Sequence, residues 1–454
     1  MKSVIRLASL LLWACFSVQG GDWPCFLGAN GDAVSEETGI ARSWPEGGPP
    51  ELWTVALGPG FSGAAVQGGG VFAHDRQKDG TETLLCLDLD SGATKWSCGY
   101  AGEPGGGSYP GARCVPLVDG DHVFVAGTFG DLVCIDRTTH KVVWRKNYWS
   151  DFGGAEKLPR WALCQNPAVW EGLLVIAPQT ESVGVVALDK ETGALRWQTP
   201  ALPGRFGYAS PTVLSVAGED QIVMASAGPP RLDLFRRRGR KAKASGGAKA
   251  AVRRLPPPIP PGAQGVVMGL DPRTGKILWE YKGWQCMTPI PRVVSVGEDR
   301  LFLTGAYEAG SVMIRVTAGG GGYTVEELLK TQAFGTHIHP PILREGHLYG
   351  QCTNNTGRQD GLVCMDLAGN VKGKTGREPA FDKGGMILAD GLLLAIDGKA
   401  GYLRLVEATP KGYRQLAEAK VLGTQRCWAP LALSEGKLLV RDQKQLKCLD
   451  VSGE

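Results

Sequence analysis

The chain has 454 residues, of which 43% are hydrophobic, with 65 glycines, 29 prolines and a formal net charge of +4. That apolar content builds a sizeable core and excludes a chain disordered throughout, and the density of turn residues points to an all-β protein. Length alone suggests several domains, but repetitive β chains run long as one.

The first twenty residues predict an export signal. "MKSVIR" is basic, "LASLLLWACFSV" is apolar, and "VQG" places small residues before Gly21. The apolar run is too short to cross a bilayer. Cys15 adds an alternative, a lipid anchor. Residues 21–50 form an N-terminal extension without repeat character. Next comes "ELWTVALG" at 51–58, an isolated strand carrying Trp53.

From residue 64 the chain repeats itself. "LLCLDLDSGATKW" spans 84–96, "LVCIDRTTHKVVW" 132–144, "VVALDKETGALRW" 185–197 and "VMGLDPRTGKILW" 267–279. "LVCMDLAGN" begins at 362 and "LKCLDVSGE" closes the chain. Each copy reads strand, polar turn, strand. The recurring acids are Asp88, Asp136, Asp189, Asp271, Asp366 and Asp450. Each is placed to accept hydrogen bonds from the amides of its own turn. Gly193 supplies the positive φ that closes such a turn. Trp96, Trp144, Trp197 and Trp279 end the returning strands. Degenerate copies fall at 312 and 402. An apolar strand pair precedes every copy, so each unit holds four strands. Four strands per unit of about forty to fifty residues predict a β-propeller. Eight blades is the count, with seven as the alternative. The last unit lacks a fourth strand, and the segment around Trp53 is predicted to supply it, closing the ring and hiding a sheet edge.

Between the second and third strands of the fourth unit lies a basic insertion, residues 229–264. It holds ten Lys or Arg and one Asp, a charge of +9, so the remainder carries +4 − 9 = −5. Its composition predicts disorder, and it reads as a tolerated surface insertion, with an arm for anionic surfaces as the alternative. The body of the protein is mildly acidic, and no nucleic-acid partner is expected.

Cys86, Cys134, Cys364 and Cys448 share one position in four copies, where Ala187 and Gly269 stand in two others. A small buried residue suits that position. Neighbouring blades lie about 10 Å apart and a disulfide needs Cα atoms within about 7 Å, so these four are expected as thiols. Pairing among Cys25, Cys98, Cys114, Cys164, Cys286, Cys352 and Cys427 stays open.

The residue three before each unit's leading proline is expected at the channel mouth. That position holds Arg113, Cys164, Tyr208, Cys286, His337 and Cys427, with His339 and Trp428 close by. These thiols and imidazoles read first as packing and channel lining, with a site for Zn or Cu made from Cys164, Cys286, His337, His339 and Cys427 as the alternative. The alternation of His337 and His339 on a strand would point one inward and the other toward the next blade.

The repeated "LD..TG...W" unit resembles the pyrroloquinoline-quinone (PQQ) repeat over residues 50 to 454. The resemblance implies that each blade's Trp docks on the next blade. It also implies kinship with two kinds of protein. One is the quinoprotein alcohol dehydrogenases, which use PQQ and calcium. The other is the cofactor-free propeller lipoprotein of bacterial outer-membrane assembly, BamB. The adjacent cysteines and the C-x-x-C-H motif of the enzymes are absent, and their calcium ligands and catalytic Asp match no residue here. The leading expectation is therefore an exported, non-catalytic scaffold without cofactor. It would bind a partner protein or an extracellular polymer such as a polysaccharide, through loops of one face or strand edges. The alternatives are a PQQ-dependent oxidoreductase and a metal-binding propeller.

Overall fold

The computed structural model describes residues 21–105, 109–230, 262–353 and 359–453. Residues 1–20, with the predicted signal and Cys15, lie outside them. So does 231–261, nearly all of the basic insertion.

The described chain forms eight sheets of four antiparallel strands. In seven of them the strands follow in chain order: blades one to seven cover 64–101, 117–147, 168–200, 212–281, 294–331, 342–374 and 383–420. The eighth joins Ala432–Ser434, Lys437–Arg441 and Gln445–Asp450 to the early strand Glu51–Ala56. Trp53 pairs with Cys448 and Val55 with Leu446. The ring thus has eight blades, not seven, and its own N-terminal strand closes it. The degenerate units at 312 and 402 are full blades.

The six recurring acids hold turns. Asp189 accepts 2.8 Å hydrogen bonds from the Thr192 amide and from its hydroxyl. Asp88 does the same with Ser91 at 3.0 and 2.8 Å. Asp136, Asp271, Asp366 and Asp450 accept from amides two to four residues on. Hydrogen bonds from Arg196 and Thr192 hold the Asp189 carboxyl down near 2, and those from Ser91 and Lys95 do so for Asp88.

Four of these turns, those of blades one to four, receive the indole of the preceding blade. Trp53 donates to the Leu89 carbonyl at 2.8 Å, Trp144 to that of Lys190 at 2.9 Å and Trp197 to that of Pro272 at 2.9 Å. Gly193 has φ 68°, and a Cβ there would stand 2.8 Å from the Trp144 ring, so the indole lies directly on bare backbone. Blade two puts His140 at the equivalent place, with φ 59°, and its imidazole stacks on Trp96 at 4.6 Å. Across the sheet the same Trp faces the small residue of the third strand: Trp96 opposes Cys86, Trp144 opposes Cys134 and Trp197 opposes Ala187.

Trp279 departs from the expected docking. Its Nε1 donates to Gln221 of its own blade at 2.6 Å. The cause lies next door. Blade five's outer hairpin runs from Gly310–Gly319 to Gly322–Thr331 without the tight acidic turn, so nothing is placed to receive an indole. Gly269 makes room for the alternative, because a Cβ there would lie 2.2 Å from that Nε1. All eleven described cysteines are free thiols.

The N-terminal extension crosses the ring. Trp23 pairs with Val66 of blade one, and the Pro24 carbonyl accepts from Val118 of blade two. Gly31 and Asp32 lie against Arg292 at the entry to blade five. Ser35 and Ala33 bond Leu388 of blade seven, and Glu37 takes the amides of Glu435 and Gly436 in blade eight. These partners sit toward the ends of first strands and in the turns that follow them, so the extension spans one end of the central channel.

Trp53→Ala removes a buried indole, its hydrogen bond and the latch of the ring. It is expected to cost about 3–5 kcal/mol of unfolding free energy in urea titrations. Leu52→Ala, at a side chain 41% exposed, is expected to shift it by less than about 0.5 kcal/mol.

Candidate functional site at the ring mouth

The segments that lead into the first strands converge at the end of the channel opposite the extension. They enclose a cavity of about 280 Å³. Every blade contributes. Phe61 comes from blade one, Arg113 and Val115 from blade two, Cys164 and Asn166 from blade three. Tyr208 and Ser210 come from blade four, Ile290 from blade five, and His337, Ile338 and His339 from blade six. Lys383 belongs to blade seven, Trp428 and Pro430 to blade eight. Tyr109, Trp161 and Tyr307 complete the wall, and Phe26 of the extension reaches it from the far end.

Polar stitches between entry segments fix this wall. The Asn166 side-chain Oδ1 accepts from the Val115 backbone amide at 2.7 Å, and the Asn166 backbone amide donates to the Ser210 hydroxyl at 2.9 Å. Blades two, three and four are tied in series. Phe61 and Trp428 stack at 5.4 Å, and Tyr109 meets both edge-on at 5.7 Å. Lys383 Nζ stands 5.0 Å over the Trp428 ring and 2.7 Å from Asp382.

Of the residues expected at the mouth, Arg113, Cys164, Tyr208, His337, His339 and Trp428 line this one cavity. Cys286 and Cys427 do not. Cys286 is packed in the core between blades four and five. Cys427 is buried with its thiol on the Thr424 carbonyl, and the next residue, Trp428, takes the place at the mouth. The five residues read as metal ligands therefore do not gather. Among the described residues no group of three or more His, Cys, Asp or Glu is arranged to hold a metal ion. His337 and His339 precede the strand Ile342–Arg344 in a bend rather than alternating on it, which is how both reach the cavity. Phe61 and Lys383 went unread in the sequence. The same three-residue offset, applied to the two units that begin without proline at Ala64 and Met386, would have found both.

The lining is aromatic and cationic. Among the described residues no Asp or Glu belongs to it. Its titratable groups are displaced by burial. The Cys164 thiol is pushed up to about 11 and the Tyr208 phenol to about 12. His337 is pushed down to about 3 by burial and the nearby Lys383 charge, and His339 to about 4 by burial. His339 Nε2 donates to the Trp428 carbonyl at 3.0 Å. Four side-chain nitrogens of lining residues have no hydrogen-bond partner: Arg113 Nε, His337 Nδ1, His339 Nδ1 and Trp428 Nε1.

The fold and this cavity define the class: an eight-bladed propeller of PQQ-type repeats, with a ligand-sized chamber at one mouth and a strap across the other. Residues 80–368 match the family described as outer membrane protein assembly factor BamB, and the chain belongs to that family. No curated protein sequence matches it. Among solved structures it is similar to a europium-containing methanol dehydrogenase, with 13% identity, TM-score 0.62, and 95% of this chain and 90% of that one covered. A quinohemoprotein alcohol dehydrogenase from Comamonas testosteroni gives 13% identity and TM-score 0.61, covering 96% and 81%. BamB from Moraxella catarrhalis gives 13% identity and TM-score 0.54, covering 88% and 99%. At such identities these likenesses show the fold alone. Among the described residues no helix is long and apolar enough to cross a membrane.

The two histidines make stability depend on pH. Their folded values lie below the ordinary 6.5, so the unfolded chain takes up protons that the folded chain refuses. Stability is full above about pH 6.5 and falls as pH drops toward the folded values. Between pH 7 and 5 each histidine is expected to remove about 1–2 kcal/mol. Urea unfolding of the double variant His337→Gln, His339→Gln at both pH values should show a correspondingly shallower loss. Equal slopes would show that the imidazoles are not held neutral.

Proposed function

We propose that the protein is an exported, non-catalytic binding propeller. It would engage a partner protein or an extracellular polymer such as a polysaccharide through the loop-bearing face around the mouth. The description of its family as an outer-membrane assembly factor supports export and protein contact. The observation that carries the non-catalytic reading is the chemistry of the cavity wall. Calcium and the lanthanides take hard oxygen ligands, carboxylates first, and no carboxylate of the described residues lines the chamber. The wall therefore does not fit a metal-assisted quinone. It offers no general base either, because imidazoles held near 3 and 4 are weak bases at neutral pH. The Cys164 thiol, raised by burial, is protonated there and unreactive.

The runner-up is a PQQ-dependent oxidoreductase. The Phe61–Trp428 stack beside Arg113 favours it, being a surface that would accept a flat anion. Incubation with PQQ and calcium, followed by a dye-reduction assay with methanol or ethanol, separates the two. The expected rate is that of the buffer. Reduction that requires both protein and quinone would end the non-catalytic reading. Export has its own check: N-terminal sequencing of protein from the native host should begin at Gly21. A mature chain that begins at a lipid-modified Cys15 would instead mean an anchor.

A further inference from the structure

Four seams between blades lack a docked indole, and three of them carry a substitute. Between blades four and five, Tyr281 donates to the Glu327 carboxylate and Lys330 Nζ to the Gly283 carbonyl at 2.6 Å. Between five and six, Leu329 stands opposite Met313, where other blades carry Trp, and lies on Gly369 of the next turn. Between seven and eight that place holds Ala417, and Trp44 of the N-terminal extension packs on the same core. Between six and seven it holds Gly373, with no side chain to dock, on a strand of four residues, Val371–Lys374.

The extension enters that last seam. Leu27 and Ala33, 3% and 2% exposed, belong to the core that blades six and seven share, and Phe26 and Val34 pack against it. The Leu388 amide donates to the Ala33 carbonyl at 3.0 Å, and the Ser35 amide to the Leu388 carbonyl at 2.8 Å. Residues 27–33 form a loop that closes on itself, the Ala33 amide donating to the Leu27 carbonyl at 2.9 Å. Both ends of this loop are left-handed although neither is glycine: φ is 68° at Leu27 and 62° at Ala33. Such a backbone is strained and persists only where its surroundings hold it.

The seam runs from the extension to the mouth. Leu388 lies near one end of the first strand of blade seven, Lys383–Ala389, and Lys383 at the other end lines the cavity together with His337 and His339 of blade six. We propose that the extension is a releasable wedge. Seated, it holds blades six and seven together. Withdrawn, it lets that seam part and the mouth widen, while the seams docked by Trp stay closed. The ring opens at one place, by a local rather than a global transition.

The chain carries its own reporters. Cys86, Cys134 and Cys364 hold equivalent places in the cores of seams one–two, two–three and six–seven. A buried thiol reacts only when its surroundings open. Pulsed alkylation of the folded full chain, read by mass spectrometry, compares the parent with Ala33→Asp, whose carboxylate is costly to keep in an apolar core. In Ala33→Asp, Cys364 is expected to react at least about tenfold faster and Cys164, on the mouth wall, at least about threefold faster, with Cys86 and Cys134 within about twofold of the parent. Ser35→Pro removes only the amide that holds Leu388, and it should give the same order with a smaller rise. Ala33→Gly keeps the hydrogen bonds and relieves the left-handed strain, so Cys364 should stay as slow as in the parent. The proposal is overturned if Cys364 keeps the parent rate in both Ala33→Asp and Ser35→Pro, or if Cys86 and Cys134 speed up as much as Cys364. It is equally overturned if Cys164 keeps the parent rate while Cys364 does not, or if Ala33→Gly exposes Cys364 as far as Ala33→Asp. Failure of both Ala33→Asp and Ser35→Pro to fold would also overturn it, because the extension would then belong to the common core.

Discussion

An indole laid on a turn of the next blade is the contact that fixes four of this ring's eight seams. A four-stranded blade cannot bury its own faces, so it needs a neighbour in fixed register. The acid that opens each turn ties down the turn's amides. The left-handed residue that follows removes the side chain that would otherwise stand in the way. The Trp of the previous blade then lies flat and donates to a carbonyl beyond it. Three linked demands follow: a carboxylate for the amides, a glycine at Gly193 and its equivalents, and a small residue across the sheet from the Trp. Where one demand lapses the others adjust. Blade five has no tight turn, and Trp279 folds back over Gly269 onto Gln221. Blade two keeps the left-handed turn but with His140, and trades the bare backbone for a stacked imidazole.

Closure follows from the same contact. Trp53 is the docking Trp of blade eight, supplied by the other end of the chain. A ring latched in this way presents eight entry segments to one opening, and each sends one to three side chains into a shared chamber. The chamber belongs to no single blade. That explains why its chemistry is irregular although the architecture is periodic: the repeat is constrained at the turns, while the entry segments are free to differ. Here they differ toward aromatic rings and two cations, and the opposite end is spanned by residues 21–50.

Much of the fold was legible in the sequence because its signals are local and repeated. A carboxylate three residues before a hydroxyl, a glycine and a returning Trp mark the turns at Asp88, Asp189 and Asp271 without any knowledge of the neighbours, and the missing fourth strand of the last unit pointed back to Trp53. The mouth was legible only in part. A fixed offset from each unit's start found Arg113, Cys164, Tyr208 and His337. It failed at Cys427, where the adjacent Trp428 faces the opening, and at Cys286, which packs between two blades. The extension was recognised as a segment but not as a strap, since its partners in five blades are remote in sequence.

The sequence by itself determined the kind of blade and the role of the recurring acids, and pointed to the closure, because period-two strands and self-sufficient turns are properties of neighbouring residues; the ring decided eight blades over seven. Only the tertiary structure decided which side chains meet at the axis, that no carboxylate of the described residues is among them, and that Arg113 is buried there with no described carboxylate facing it. Those facts depend on distances between segments a hundred or more residues apart, and on how deeply the ring withdraws each group from water.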